Sequence, residues 1–339
     1  MTKRRWILLF TVTLIVTGIA CNGKHSTAPT VVVYVSEDQV FAEPILKDFE
    51  KETGIEVRAV YDTEEAKSTG VMNRLLAEKD NPQADVYWAN EPMRAAVLQQ
   101  RGIAAPYISP NAAEIPATFK DASGYWTGFS ARARILLVNK SVKDGPHSVL
   151  AYTEPRWKNK GVVANPLFGT TTAEMAALFT IWGDDRGKAF LQETKKNGVR
   201  ISTSNGESAD FVASGESEFG LVDSDDAFNR IQQGRPVEAV YPDQQEGGIG
   251  VLIVPNAVVA IQRGPHATQA HKLVDFLLSR ETERKLAYAN CAQIPLHPGV
   301  DTPPHVPHIE KLKIMSVNYA EVAAKMQQIQ PFLKEWVGY

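Results

Sequence analysis

The sequence predicts an α/β protein of two lobes, hinged by crossing strands. Three observations carry this. Strand-like and helix-like apolar patterns alternate in β-α-β-α-β order over residues 31–88. A second alternating series begins near Val162. Two longer apolar segments, residues 135–138 and 251–261, flank that second series, where the chain can cross from one lobe to the other and return. The first series implies a parallel sheet with helices on both faces. Two such lobes leave a cleft between them, the usual place for a small ligand.

The elements follow in order. Lys3, Arg4 and Arg5 precede an almost wholly apolar run over residues 6–19, then Ala20 and Cys21. This is the layout of a bacterial export signal over residues 1–20, and its apolar part is short for a membrane span. Cys21 is placed for lipidation, while Gly18 and Ala20 also suit an ordinary small-x-small cleavage site. Residues 21–30, polar and carrying Pro29, read as a tether. The β-branched run 31–35 reads as a strand buried on both faces. Phe41, Ile45 and Phe49 recur at helical spacing, and Gly54 ends that helix. A strand over 55–60, a helix carrying Val71, Met72, Leu75 and Leu76, and a short strand over 85–88 complete the first series.

The second series is a strand over 162–164, helices over 172–182, 186–197 and 208–214, and a strand over 219–222. From Ala267 onward the pattern is mostly helical, with a proline-rich break at 302–307. The expected lobes are residues 31–131 with 256–300, and 132–255 with 301–339.

Composition narrows the function classes. Removing residues 1–20 takes away three cations and no acids, so the formal charge moves from -3 to about -6. With no long basic run after the leader, nucleic acid and anionic membrane are not expected partners. Cys21 and Cys291 are the two cysteines. With Cys21 acylated, Cys291 has no partner and reads as a small buried residue rather than a nucleophile. No zinc-type Cys/His spacing is present. His297, His305 and His308 lie in the proline-rich region and read as solvated, and Tyr34, Tyr87 and Trp88 read as core. A monomer without a resident cofactor is expected.

Two stretches carry chemistry. In the first, Gly169, Thr170, Thr171 and Thr172 follow a strand and open a helix. Free backbone N–H groups, three hydroxyls and the helix dipole there favour an anion. A capping box of Thr171 with Glu174 is the plainer alternative. Arg132 and Arg134 alternate on a strand, share one face, and either assist anion capture or bridge the hinge. The second stretch ends a strand with Asp223, Asp225 and Asp226. Carboxylates so close repel unless solvated or matched by a metal ion or an ammonium group. The same stretch imitates the Asp-x-Asp motif of haloacid dehalogenase-type phosphatases, with Asp223 as nucleophile. Ala227 stands where Thr or Val is expected, and no partner motif follows.

Short blocks in residues 32–36, 49–57, 82–86, 132–134, 155–160 and 270–278 together resemble the periplasmic ferric-iron-binding proteins of bacterial ABC importers. The resemblance spans about nine-tenths of the chain. It implies the type II periplasmic-binding-protein fold and a binding, non-enzymatic role beside a membrane permease. It also implies that the family's tyrosine pair falls on Asp225 and Asp226, its histidine on Asp38, and its glutamate on Asn90 beside Glu91. Gly169, Thr170 and Asn205 match its anion contacts, and Asp223 a further polar one. The expected ligand is ferric iron or another hard metal ion with an anion, carboxylates replacing phenolates. Related importers of 2-aminoethylphosphonate supply the alternative: phosphonate on the turn, ammonium on the aspartates.

Overall fold

The computed structural model describes residues 28–62 and 70–338. The expected leader and Cys21 lie outside them.

The first half runs β1 (Thr30–Val35), α1 (Gln39–Thr53), β2 (Glu56–Tyr61), α2 (Gly70–Ala77), β3 (Val86–Ala89), α3 (Pro92–Gln100) and β4 (Ala104–Ala105). β1 is a β-branched run whose side chains at Val31, Val33, Tyr34 and Val35 have no exposed area. α1 buries Ala42, Ile45, Leu46 and Phe49, one stripe at helical spacing. It stops at Gly54, whose φ of 69° lets its N–H turn back to the Glu50 carbonyl.

The chain then enters β5 (Thr127–Asn139) and β6 (Gly161–Ala164), followed by α4 (Gly169–Trp182), α5 (Asp184–Lys196), β7 (Arg200–Ser202), α6 (Asn205–Ser214) and β8 (Phe219–Asp223). It continues through α7 (Ser224–Gln232), β9 (Val237–Val240), β10 (Ile253–Ile261), α8 (Ala267–Leu277), α9 (Arg280–Tyr288) and α10 (Tyr319–Val337).

The sheet order is β2-β1-β3-β10-β5-β8-β6-β7. β1 is parallel to β2 and β3, and β6 is parallel to β7 and β8. Between these parallel groups, β10 is antiparallel to β3 and β5, and β5 is antiparallel to β8. The parallel sheet expected for the first series is borne out in β1, β2 and β3, while the strands that cross between the groups run antiparallel. Two strands carrying the chain between lobes in opposite senses must oppose each other.

β5 serves both lobes. Its segment from Thr127 to Ala133 pairs with β10, and its segment from Arg134 to Val138 pairs with β8. The handover falls between Ala133 and Arg134. α10 ties the halves together by packing on α3 and α4, with the Tyr319 hydroxyl donating to the Ile253 carbonyl (2.6 Å). Among the described residues, no helix is long and apolar enough to cross a membrane.

A buried polar network underlies the crossing strands. Ser130 in β5 has a φ of 37°, and the register of β10 shifts opposite it, between Pro255 and Asn256. Such backbone persists where its surroundings hold it. The fully buried Glu283 accepts the N–H groups of Ser130 (2.8 Å), Leu296 (2.8 Å) and His297 (3.0 Å). His297 Nδ1 lies 2.7 Å from the same carboxylate, and its Nε2 lies 2.7 Å from the Asn111 carbonyl. His297 is only 3% exposed, which corrects the solvated reading. Burial works against its charge, but Glu283 outweighs that and raises the imidazole above its ordinary value. Cys291 is buried, as expected, with its thiol directed at the Leu286 carbonyl. Tyr34, Tyr87 and Trp88 are core residues.

Candidate functional site

The junction between the halves gathers charged and polar side chains from β5, α4, α6 and the end of β8. Arg134 projects from the first residue of β5 that pairs with β8, directly opposite Asp223. Arg134 is completely buried and Asp223 is 5% exposed, so each needs the other. Arg134 Nη1 donates to Asp223 Oδ1 at 2.8 Å.

The threonine turn closes around this pair. α4 begins at Gly169, three residues earlier than the sequence suggests, because a φ of 59° at that glycine turns the chain into the helix. The Thr170 hydroxyl donates to Asp223 Oδ2 (2.7 Å) and accepts from Arg134 Nη1 (3.1 Å) and Asn205 Nδ2 (2.9 Å). Asn205 Nδ2 also reaches Asp223 Oδ2 (3.1 Å). Thr171 accepts from Arg134 Nη2 (3.2 Å) and donates to Asn205 Oδ1 (3.2 Å). Thr172 faces elsewhere: its buried hydroxyl donates to the Pro166 carbonyl (2.8 Å) and braces the turn. The capping box does not form, since Phe168 holds the N-cap position and Thr171 lies inside the helix.

Arg132 lies two residues before Arg134, and so on the same face of β5. It donates to the Asn90 carbonyl beyond β3, and its Nη1 lies 3.9 Å from Asp223 Oδ2. It therefore links the two halves. Burial opposes its charge, but Asp223, Asp225, Glu37 and Glu91 outweigh this and raise its pKa further.

Asp225 and Asp226 open α7, and carboxylate oxygens of Asp223, Asp225 and Asp226 lie within 4.8 Å of one another. The three do not share one electrostatic state. Burial raises the Asp223 carboxyl, but Arg134 and Arg132 outweigh it and hold the group below the ordinary carboxylate range. Asp225 is pushed up to about 6, by burial first and by Asp223, against the pull of Arg132. Asp226 reaches about 8, through burial and then the charges of Asp225 and Asp223. Burial and mutual repulsion therefore oppose the ionisation of Asp225 and Asp226, a cost that a hard cation would relieve.

The remaining predicted residues are more dispersed. Glu91 is 5% exposed, stands before α3 and bonds Arg94 (2.9 Å). Asp38 is half-buried at the start of α1, its carbonyl accepting from the Phe41 and Ala42 N–H groups. Two buried acids near the site were not among the expected site residues. Glu37, beside Arg132, is 8% exposed and accepts from Gln293 Nε2 (3.2 Å). Glu174 sits behind the turn, where burial raises it to about 7 against the pull of Arg134. Glu37 is distinguished by Gln293, a partner far away in the chain, which leaves no local pattern to read. Glu174 stood in view as half of the capping box.

Comparisons with known proteins agree with this architecture. Residues 45–313 match the family described as bacterial extracellular solute-binding protein. The major ferric iron-binding protein of Neisseria meningitidis serogroup A is 25% identical over 305 residues, covering 87% of this chain and 89% of the relative. A putative 2-aminoethylphosphonate-binding periplasmic protein of Salmonella typhimurium is 28% identical over 242 residues, covering 70% and 69%. The solved structure of Trichodesmium IdiA (FutA) in complex with iron and citrate has a TM-score of 0.80 at 21% identity, covering 91% of this chain and 99% of that one. That likeness shows a shared two-lobe fold. The chain belongs to the family of bacterial extracellular solute-binding proteins.

Proposed function

We propose that this protein is the solute-binding component of an ABC importer and that its cleft takes a hard metal ion, ferric iron among the candidates. The observation that carries this is the crowding of Asp223, Asp225 and Asp226 within 4.8 Å, with Asp225 and Asp226 raised to about 6 and about 8. A cation entering the cleft removes that repulsion and displaces the protons these groups hold. Glu91 and Asp38 are the proposed ligands from the other lobe, and Asn205, Arg132, Arg134, Gly169, Thr170 and Thr171 form the anion side. The proposed lobes are residues 31–131 with 256–300, and 132–255 with 301–339. Closure of the lobes over the ligand selects the form that a membrane permease recognises. The proposed setting is a monomer outside the cytoplasm, anchored through an acylated Cys21.

The proposed role needs no catalysis. Asp223, the one residue suggesting a phosphatase, is buried and engaged by Arg134, Thr170 and Asn205, which is unfavourable for a nucleophile. A second reading, a zwitterionic organophosphonate, draws support from the Salmonella relative and from cationic and anionic groups standing side by side.

Native mass spectrometry of the purified protein, set against its denatured mass, tests the proposal. A bound metal ion is expected, and its mass should vanish on denaturation. A bound organophosphonate instead would overturn the metal reading in favour of the second.

A further inference from the structure

Resting on the reading that this cleft takes a cation, we propose that Asp223 is the site's built-in anion, so that the cation binds without a free anion beside it. The turn, Arg134 and Asn205 make a cradle of donors such as an external anion would require. In this structure the cradle already holds a carboxylate. Asp223 Oδ1 accepts from Arg134 (2.8 Å), and Oδ2 accepts from Thr170 (2.7 Å) and Asn205 (3.1 Å), with Arg132 a further 3.9 Å away.

The hydroxyls have no spare capacity for a second anion. Thr170 spends its single proton on Asp223, and Thr171 spends its own on Asn205. An external phosphate or carboxylate seeking these hydroxyls or the Nη1 donor of the completely buried Arg134 would have to displace Asp223 from them. Asp223 is accordingly a positioning residue. It neutralises Arg134, holds the turn, and leaves Asp225 and Asp226 to meet the cation. This separates two ligand classes, since a ligand carrying its own phosphonate competes with Asp223 and a bare cation does not.

Chemical rescue tests the assignment without any metal. Removing the carboxylate in Asp223→Ala leaves the buried Arg134 guanidinium without its hydrogen-bonded counter-ion, with room for a small anion. Formate, acetate or inorganic phosphate should then raise the melting temperature of Asp223→Ala saturably by a few degrees and leave the wild type unmoved. Failure of all three anions to stabilise a folded Asp223→Ala would overturn the proposal. The wild type supplies a second test should the variant not fold: saturable stabilisation by phosphate would show the cradle open to an external anion and would equally overturn it. A separate titration with Fe³⁺ or Mn²⁺ keeps the two readings distinguishable. Anion rescue without metal binding would contradict the cation reading alone. Metal binding without rescue would contradict the role of Asp223 alone.

Discussion

Asp226 and Asp225 hold protons that free aspartates would have lost, and this has a sign. Their folded values, about 8 and about 6, lie above the ordinary 3.8, so the folded protein binds more protons than the unfolded chain between those limits. Their contribution to metal-free stability is complete below about pH 4 and is lost as the pH rises towards 8. Cation affinity runs the other way, because the cation must displace the same protons. Melting curves of the metal-free protein between pH 5 and 8 should show this loss of stability. It should be absent from Asp225→Asn/Asp226→Asn, and a wild-type profile matching that of the variant would contradict the assignment. The crowding itself was legible in the sequence, where the three acids stand within four residues. Their unequal states were not, because these depend on Arg134 and Arg132 arriving from a strand about ninety residues earlier.

Among the elements, the crossing strands position the site. The sequence pointed to residues 135–138 as one crossing segment and to Arg132 and Arg134 as strand residues, yet β5 begins at Thr127, because Thr127, Gly128 and Ser130 interrupt its apolar pattern. Helix starts were similarly blurred. α4 opens at Gly169 through a positive φ rather than through a threonine cap, so the apolar periodicity alone started it too late. The hinge network was invisible, since His297 finds Glu283 fourteen positions away and Ser130 finds it from another element altogether. Replacing Glu283 by Ala strips a buried acceptor from three N–H groups and the His297 ring. It should cost about 3 kcal/mol in chemical denaturation. A loss under about 1 kcal/mol would show that the hinge does not depend on this carboxylate.

At the scale of the whole molecule, two parallel groups of strands meet through an antiparallel pair, and the charges collect where β5 changes partners. Arg132 reaches the Asn90 carbonyl on one side of that junction and Asp223 on the other, so the binding groups sense the relation between the halves. From Glu37 a chain of hydrogen bonds runs through Gln293 and Asn256 to the Ser130 carbonyl, joining the cleft to the crossing strand. Two-lobe architecture was readable from the repeated β-α alternation. The mixed direction of the central strands was not, because strand direction depends on where the chain returns.

The most direct test is a competition titration of the purified protein with Fe³⁺ and Mn²⁺ against a chelator of known affinity, beside Asp225→Asn/Asp226→Asn. Saturable binding of one ion per chain is expected. In the variant the affinity should fall by more than about a hundredfold, beyond what disturbing a group behind the ligands costs. Absence of saturable binding in the wild type, or equal affinity in the variant, would contradict the metal reading.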